Sequence, residues 1–218
     1  MEESDMKAYP ELMWDAFKDD LMALLYPNGY PQSAREHTTK KGLEGLHKDP
    51  EVHKWMKVID TDLAKDDHYN QLVGMAHWEF HLKERTEAEL DAEAAEKAKE
   101  EPDAAIDRGF ADKFFADIGR IRRETMGGKP YILLHLLATH PDHHRRGVGA
   151  MHLNWGAQKA DEFGLPMMLE ASPIGRPLYE KNGYEKVGDL PVDAMAHGHP
   201  KELPHAIMIR PAKGAANK

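Results

Sequence analysis

The chain has 218 residues, a net charge of −9 at pH 7 and no cysteine. This length suits one domain with or without an insertion, and the missing cysteines exclude disulfides, thiolate metal sites and a cysteine nucleophile. The negative charge disfavours nucleic-acid binding, which neutralises phosphates with Lys and Arg. The acidic start lacks a signal-peptide core, and no run approaches the roughly 20 apolar residues of a membrane helix. We therefore expect one domain over residues 1–218, cytoplasmic, with no nucleic-acid or membrane partner.

Two helices followed by two strands are predicted for the first part of the chain. Apolar residues at helical spacing indicate the helices, and alternation of polar and apolar residues indicates the second strand. The predicted elements are helices over residues 10–26 and 38–46, strands over 52–60 and 72–82, and a polar hairpin turn over 65–70. In the second strand His77, Glu79 and His81 share one partly polar face, which makes Glu79 a candidate for chemistry.

A helical insertion is predicted over residues 83–126. Its first half is rich in Ala, Glu and Lys, which indicates a solvated helix that ends at Pro102. Its second half carries one apolar stripe, which indicates a helix that packs on the core. The stripe consists of Ile106, Phe110, Phe114, Ile118 and Ile121.

The second part of the chain alternates strands and helices. Residues 131–139 are almost continuously apolar, which is typical of a buried central strand, although His135 interrupts the run. The other predicted elements are helices over 147–163 and 177–181 and strands over 167–171, 185–187 and 206–210. This order of elements predicts a mixed sheet of the α/β or α+β class.

The sharpest local signal is the turn between the buried strand and the next helix, residues 144–150. Gly147 and Gly149 let the backbone approach a ligand closely, and the helix start offers free N–H donors to a phosphate. Arg145 and Arg146 precede the glycines and can pair with further phosphate oxygens. A P-loop is excluded because no Lys-Ser/Thr follows the second glycine. A dinucleotide-binding fold is also excluded, because its glycine turn comes early in the chain. The turn therefore predicts a site for a pyrophosphate-like anion.

Residues 131–187 resemble the core of the GNAT acetyltransferase superfamily. The family's loop Gln/Arg-x-x-Gly-x-Gly/Ala falls on residues 144–149, where His144 replaces the usual Gln or Arg. The segments Leu169-Glu170-Ala171-Ser172 and Leu178-Tyr179-Glu180-Lys181-Asn182-Gly183-Tyr184 also match in order and spacing. The resemblance implies a mixed, mostly antiparallel central sheet flanked by helices, with the insertion between the third and fourth strands. Because the N-terminus is short, we expect the family's first strand to be absent or very short.

By the same resemblance, acetyl-CoA would lie in a wedge between the fourth and fifth strands of the family. Main-chain groups of one strand end would hold the pantetheine arm, the glycine turn would hold the pyrophosphate, and two further residues would approach the thioester. The implied cofactor-binding residues are Leu137, Ala138, Thr139, His144, Arg145, Arg146, Gly147, Val148, Gly149, Ala150, Ser172 and Tyr179.

Three residues are candidates for catalysis. The resemblance implies that Tyr179 protonates the departing thiolate, which suits a phenol with a pKa near 10. Glu79 is the candidate general base, and His135 is its rival. The predicted function is acetyl-CoA-dependent transfer of an acetyl group to a primary amine of a small molecule, by direct attack in a ternary complex. The alternatives are a protein or peptide N-acetyltransferase and a non-catalytic acyl-CoA-binding protein.

No metal site is expected, although the chain has 14 histidines. His140, His143 and His144 cluster, and His197 and His199 share a loop. Neither group shows the companion carboxylate and spacing of an imidazole metal site. The oligomeric state is not indicated by the sequence.

Overall fold

The computed structural model describes residues 1–65, 69 and 71–214. These residues form six strands, seven α-helices and three short 3₁₀ helices. The strands are β1 (His53–Ile59), β2 (Leu72–His81), β3 (Tyr131–Thr139), β4 (Met167–Ala171), β5 (Glu185–Leu190) and β6 (His205–Arg210). The helices are α1 (Tyr9–Phe17), α2 (Leu21–Leu25), α3 (Gln32–Leu46), α4 (Glu87–Lys97), α5 (Arg108–Met126), α6 (Val148–Phe163) and α7 (Arg176–Lys181).

The strands form one sheet in the order β1-β2-β3-β4-β6-β5. Only the β3–β4 pair is parallel, and the other four pairs are antiparallel. The predicted mixed, mostly antiparallel sheet is therefore confirmed. Its single parallel pair requires a crossover, which α6 provides by connecting the end of β3 to the start of β4.

Helices pack on both faces of the sheet. On one face Trp78 and Phe80 of β2 lie in a buried cluster with Leu153 of α6 and Tyr179 of α7. On the other face the α5 stripe packs on Leu133 of β3 and on neighbouring strands. Of the predicted stripe, Phe110, Phe114 and Ile121 are buried in this cluster and Ile118 is half-buried, whereas Ile106 precedes the helix and packs near α2. The alternation of β2 thus directs its apolar face to α6 and its histidine–glutamate face to the α5 side.

The first predicted helix is wrong in one respect, because the chain leaves the helix between Phe17 and Leu21 and forms α1 and α2. Asp20 has φ −136° and ψ −127°, outside the helical region. Its buried Oδ1 lies 3.3 Å from Nε2 of His205 at the start of β6. The break therefore coincides with a tertiary contact that is absent from the local pattern. The second helix also begins earlier than predicted, directly after Pro31.

The insertion lies between β2 and β3 and contains α4 and α5. Strands β2 and β3 correspond to the third and fourth strands of the predicted fold, because its numbering counts one strand before β1. The described residues form no strand before His53, where the family's first strand was expected to be absent or very short. Of the predicted hairpin turn, residues 66–68 and 70 lie outside the described residues. Within the described residues, no helix is both long enough and apolar enough to span a membrane.

Candidate active site

The parallel strands β3 and β4 part soon after they begin. They pair only at Ile132–Met167 and Leu133–Met168, whereas β4 continues beside β6 along its whole length. Residues 134–139 of β3 therefore have no pairing on the β4 side. Their main-chain groups on that side can bind a ligand that carries amides, because a strand without a neighbour leaves donors and acceptors open. Leu137, Ala138 and Thr139 lie in this part of β3.

The glycine turn follows the unpaired part of β3 and starts α6. Gly147 is the N-cap with φ +87°, a left-handed conformation that favours glycine. Arg145 also has a positive φ, +64°, which is uncommon for a residue with a side chain. His144 Nε2 lies 3.1 Å from the Thr139 carbonyl oxygen, so the ring ties the turn back to β3. Arg146 donates to Asp60 after β1 at 2.7 Å.

The segment after β4 places two predicted residues beside the gap. Ser172 Oγ accepts a hydrogen bond of 3.2 Å from the Gly175 N–H, which closes the turn into α7. Tyr179 on α7 is only 8% exposed. In the described part of the chain its hydroxyl has no hydrogen-bond partner, and burial raises the pKa of the phenol well above its usual value. Tyr179 is therefore a protonated donor that has no internal acceptor.

Glu79 and His135 meet on the α5 side of the sheet. The β2–β3 register shifts at His135, which has no partner on β2, so a bulge turns this residue out of the regular pairing. His135 Nδ1 lies 3.5 Å from Glu79 Oε1, and His81 Nε2 lies 3.7 Å from Glu79 Oε2. Burial would raise the pKa of Glu79, but His135, His77, Arg122 and His81 outweigh it and lower that pKa. Glu79 is thus a carboxylate at neutral pH.

Neutral imidazoles surround this carboxylate. Burial lowers the pKa of His135 to about 4 and that of His77 to about 3, although Glu79 opposes both shifts. His135 nevertheless keeps 38% of its side chain exposed, because it projects into a cavity. The ring is therefore uncharged at neutral pH and can accept a hydrogen bond from a bound molecule.

A buried ion pair was missed by the sequence analysis. Arg122 of α5 donates to both carboxylate oxygens of Glu170 on β4, each at 2.8 Å. Both residues line the same cavity as His135, and their charges act on its ring. In the sequence, Glu170 stands out weakly as a charged residue within an apolar strand. Arg122 is one of many charged residues on an amphipathic helix, so no pattern in the sequence distinguishes it.

One cavity of about 2550 Å³ connects these features. It runs from the glycine turn through the gap between β3 and β4 to the α5 side. All three candidate catalytic residues line it, and so do all predicted cofactor-binding residues except Ala138, which is buried, and Arg146, which is held by Asp60. The fold therefore brings residues from β2, β3, α6 and α7 to a single space.

Comparisons with known proteins identify the family. A family model for the acetyltransferase (GNAT) family matches residues 14–184. A sequence search of curated proteins found no match.

Three solved structures illustrate the similarity of fold. One is described as histone acetyltransferase HPA2 and related acetyltransferase from Corynebacterium glutamicum, with 17% identity and a TM-score of 0.57 over 97% of this chain and 93% of that one. Another is arylalkylamine N-acetyltransferase 2 from Aedes aegypti, with 12% identity and a TM-score of 0.61 over 96% and 95%. A third is the PaiA N-acetyltransferase from Thermoplasma acidophilum in complex with coenzyme A, with 11% identity and a TM-score of 0.50 over 97% and 95%.

The matched region contains β1 to β4, the glycine turn and α7, which together form the cavity and its walls. At these identities the solved structures support the fold, and the family model supports the activity. The chain belongs to the GNAT acetyltransferase family and is an acyltransferase that uses acetyl-CoA.

Proposed function

We propose that the protein transfers the acetyl group of acetyl-CoA to a primary amine of a small molecule, by direct attack in a ternary complex. One observation carries this proposal. The cavity passes between β3 and β4, with Tyr179 and the glycine turn towards one end and the Glu79–His135 pair towards the other. Two substrates can therefore enter from opposite sides and meet in the gap.

Acetyl-CoA is proposed to lie on the side of α6 and α7. The pyrophosphate would bind the first turn of α6, where N–H groups are free and the helix dipole favours an anion. Main-chain groups of Leu137, Ala138 and Thr139 would bind the pantetheine arm along the unpaired edge of β3. Ser172, at the end of β4, would face the thioester.

The acceptor amine is proposed to enter from the α5 side. The ammonium group binds the Glu79 carboxylate and loses a proton to the Glu79–His135 pair, directly or through a water molecule. The neutral amine attacks the thioester carbonyl, a C–N bond forms and the C–S bond breaks. Tyr179 then protonates the departing thiolate, and its unpartnered hydroxyl supports this role.

The walls of the acceptor side support a small acceptor. Helix α4 has no buried residue, and ion pairs link it to its surroundings, from Arg123 to Glu87 and Asp91 and from Arg85 to Glu93. Lys41 of α3 binds Glu100, just after α4, at 3.2 Å. These links tie α4 and the residues just after it to α5 and α3 across the acceptor side, which leaves less room for a folded protein substrate than an open groove would.

A screen of acceptors tests this proposal directly. Purified protein would be given acetyl-CoA with small primary amines or with peptides that carry a free N-terminus or a lysine, and thiol release would be measured. We expect release with one class of small amine. Release with peptides alone would favour the protein acetyltransferase, and CoA binding without release would favour the binding protein. The cytoplasmic location and the single domain over residues 1–218 remain predictions.

Replacing Gly149 with Val should weaken CoA binding at least about tenfold, or 1.4 kcal/mol. A Cβ atom at this position would lie 2.7 Å from Leu178 Cδ2, the flexible end of a side chain that can move. The variant should fold, but the added side chain would cover the free N–H groups at the start of α6. Calorimetric titration with CoA measures the effect, with Met151→Val as the control because Met151 is exposed on the same helix. Equal CoA affinity in the two folded variants would contradict the proposed pyrophosphate site.

Replacing Phe115 with Ala should raise the KM for the acceptor roughly fivefold, which corresponds to about 1 kcal/mol of lost apolar contact. Phe115 on α5 is 48% exposed and lines the cavity. The KM for acetyl-CoA should stay within about twofold, because α5 lies on the acceptor side. Phe163→Ala is the matched control, since Phe163 is similarly exposed but lies at the end of α6. Parallel changes in both KM values would show that α5 has no selective role towards the acceptor.

A further inference from the structure

Three potential metal ligands converge on one face of the sheet. His53 of β1 lies directly opposite Glu79 of β2, and His77 lies two residues from Glu79 on the same face. His53 Nδ1 is 3.1 Å from His77 Nε2. One nitrogen from each histidine and one carboxylate oxygen of Glu79 all lie within 4.8 Å of one another. None of the histidines grouped by sequence proximity belongs to this cluster.

The distances suit a small divalent ion with nitrogen and oxygen ligands. Tetrahedral zinc holds its ligands at about 2.0–2.2 Å, so two ligand atoms in such a site lie about 3.3 Å apart. The two ring nitrogens are already near that separation, and rotation of the Glu79 side chain can bring an oxygen closer. Two imidazoles and one carboxylate leave the fourth position of zinc open to water.

The surroundings of the cluster hold its ligands in place. The Trp55 ring stacks on the His77 ring, with centroids 4.3 Å apart and planes inclined by 10°. His135 lies 3.5 Å from Glu79 and can orient the carboxylate from the neighbouring strand. His53, His77 and Glu79 all line the cavity, so an ion has a path from solvent.

We propose that His53, His77 and Glu79 form a binding site for one zinc-type divalent ion, and that the ion inhibits acetyl transfer. Binding itself does not depend on the proposed function. Inhibition does, because a bound ion takes the Glu79 lone pairs that would otherwise receive the acceptor ammonium. The site thereby couples acetylation to the availability of free zinc.

Binding is tested on tag-free protein treated with EDTA, titrated calorimetrically with ZnCl2 in the absence of both substrates. We expect one equivalent to bind, and His53→Gln and His77→Gln to weaken it at least about 100-fold. His47→Gln is the matched control, because His47 is exposed, binds Glu3 at 2.8 Å and belongs to no three-residue ligand cluster among the described residues. Titration of the wild-type chain with CoCl2 should also produce the visible absorption of tetrahedral cobalt, which requires no variant.

The outcomes separate the two parts of the proposal. If the wild-type chain binds no equivalent and shows no cobalt absorption, or if a folded His53→Gln variant binds zinc like wild type, the site is refuted. In that case the 3.1 Å contact between His53 Nδ1 and His77 Nε2 is only a hydrogen bond between two histidines.

Inhibition is tested by measuring acetyl transfer by wild type and by each variant with added zinc and comparing it with the rate of the same protein in EDTA. We expect zinc to inhibit the wild-type chain and the His47→Gln variant but not the His53→Gln variant. Zinc binding without inhibition would refute the inhibitory part of the proposal and the role of Glu79 in transfer.

Discussion

Replacing Glu79 with Gln should lower kcat for acetylation of an amine by about 100-fold or more, within the range of general acid–base catalysis. Gln keeps the shape of the side chain but removes the negative charge that is proposed to bind the acceptor ammonium and to receive its proton. The KM for acetyl-CoA should change little, because that substrate is proposed to bind at the glycine turn and along the unpaired part of β3. Steady-state kinetics with each substrate varied in turn measures both effects, and circular dichroism verifies the fold.

The variant His135→Gln separates the two members of the pair. His135 contacts Glu79 at 3.5 Å and is exposed to the cavity, so it can relay the proton or accept it alone. If Glu79 is the base, His135→Gln should cost less than Glu79→Gln, and the double variant should cost less than the product of the two single effects. A larger loss in His135→Gln would assign the base to the histidine. Wild-type kcat in both single variants would refute the proposed proton acceptor.

Replacing Tyr179 with Phe should lower kcat at least about tenfold and leave the affinity for acetyl-CoA nearly unchanged. The reason is that, in the proposed mechanism, the hydroxyl acts on the thiolate only as the C–S bond breaks. The Phe variant should be about as stable as wild type, because the hydroxyl makes no hydrogen bond within the described residues and its removal breaks none. Burst and steady-state kinetics report the catalytic effect, and thermal unfolding reports the stability.

The pH dependence gives a second measure of the same residue. Burial raises the pKa of the Tyr179 phenol, so its neutral form persists to a higher pH than in a free tyrosine. In wild type, kcat should therefore show no fall caused by this group up to about pH 10. Unchanged kcat in Tyr179→Phe would mean that water protonates the thiolate and that Tyr179 only packs against Tyr184.

Much of the candidate site is local in sequence, and such parts could be predicted. The glycine turn is recognisable because the strand, the glycines and the helix that it joins are contiguous. Tyr179 could be proposed for a similar reason, since α7 and the Asn182-Gly183 stop that follows it form a short motif that resembles the family's. Glu79 was singled out because alternation along β2 separates polar from apolar residues. In each case the residues that define the chemistry lie within a few positions of one another.

Other features depend on which segments become neighbours, and only the tertiary structure decided them. Nothing in the sequence of β1 distinguishes His53, and it meets Glu79 only because the β1–β2 register places the two residues opposite each other. The bulge at His135 and the early parting of β3 and β4 arise from pairing between strands that are distant in the chain. The break between α1 and α2 coincides with the contact between Asp20 and His205. The sequence alone determined the periodicity of each element and the motif of the turn, because these follow from local geometry. Register, bulges and contacts between distant segments were decided by packing, because their free energy depends on partners that no local pattern specifies.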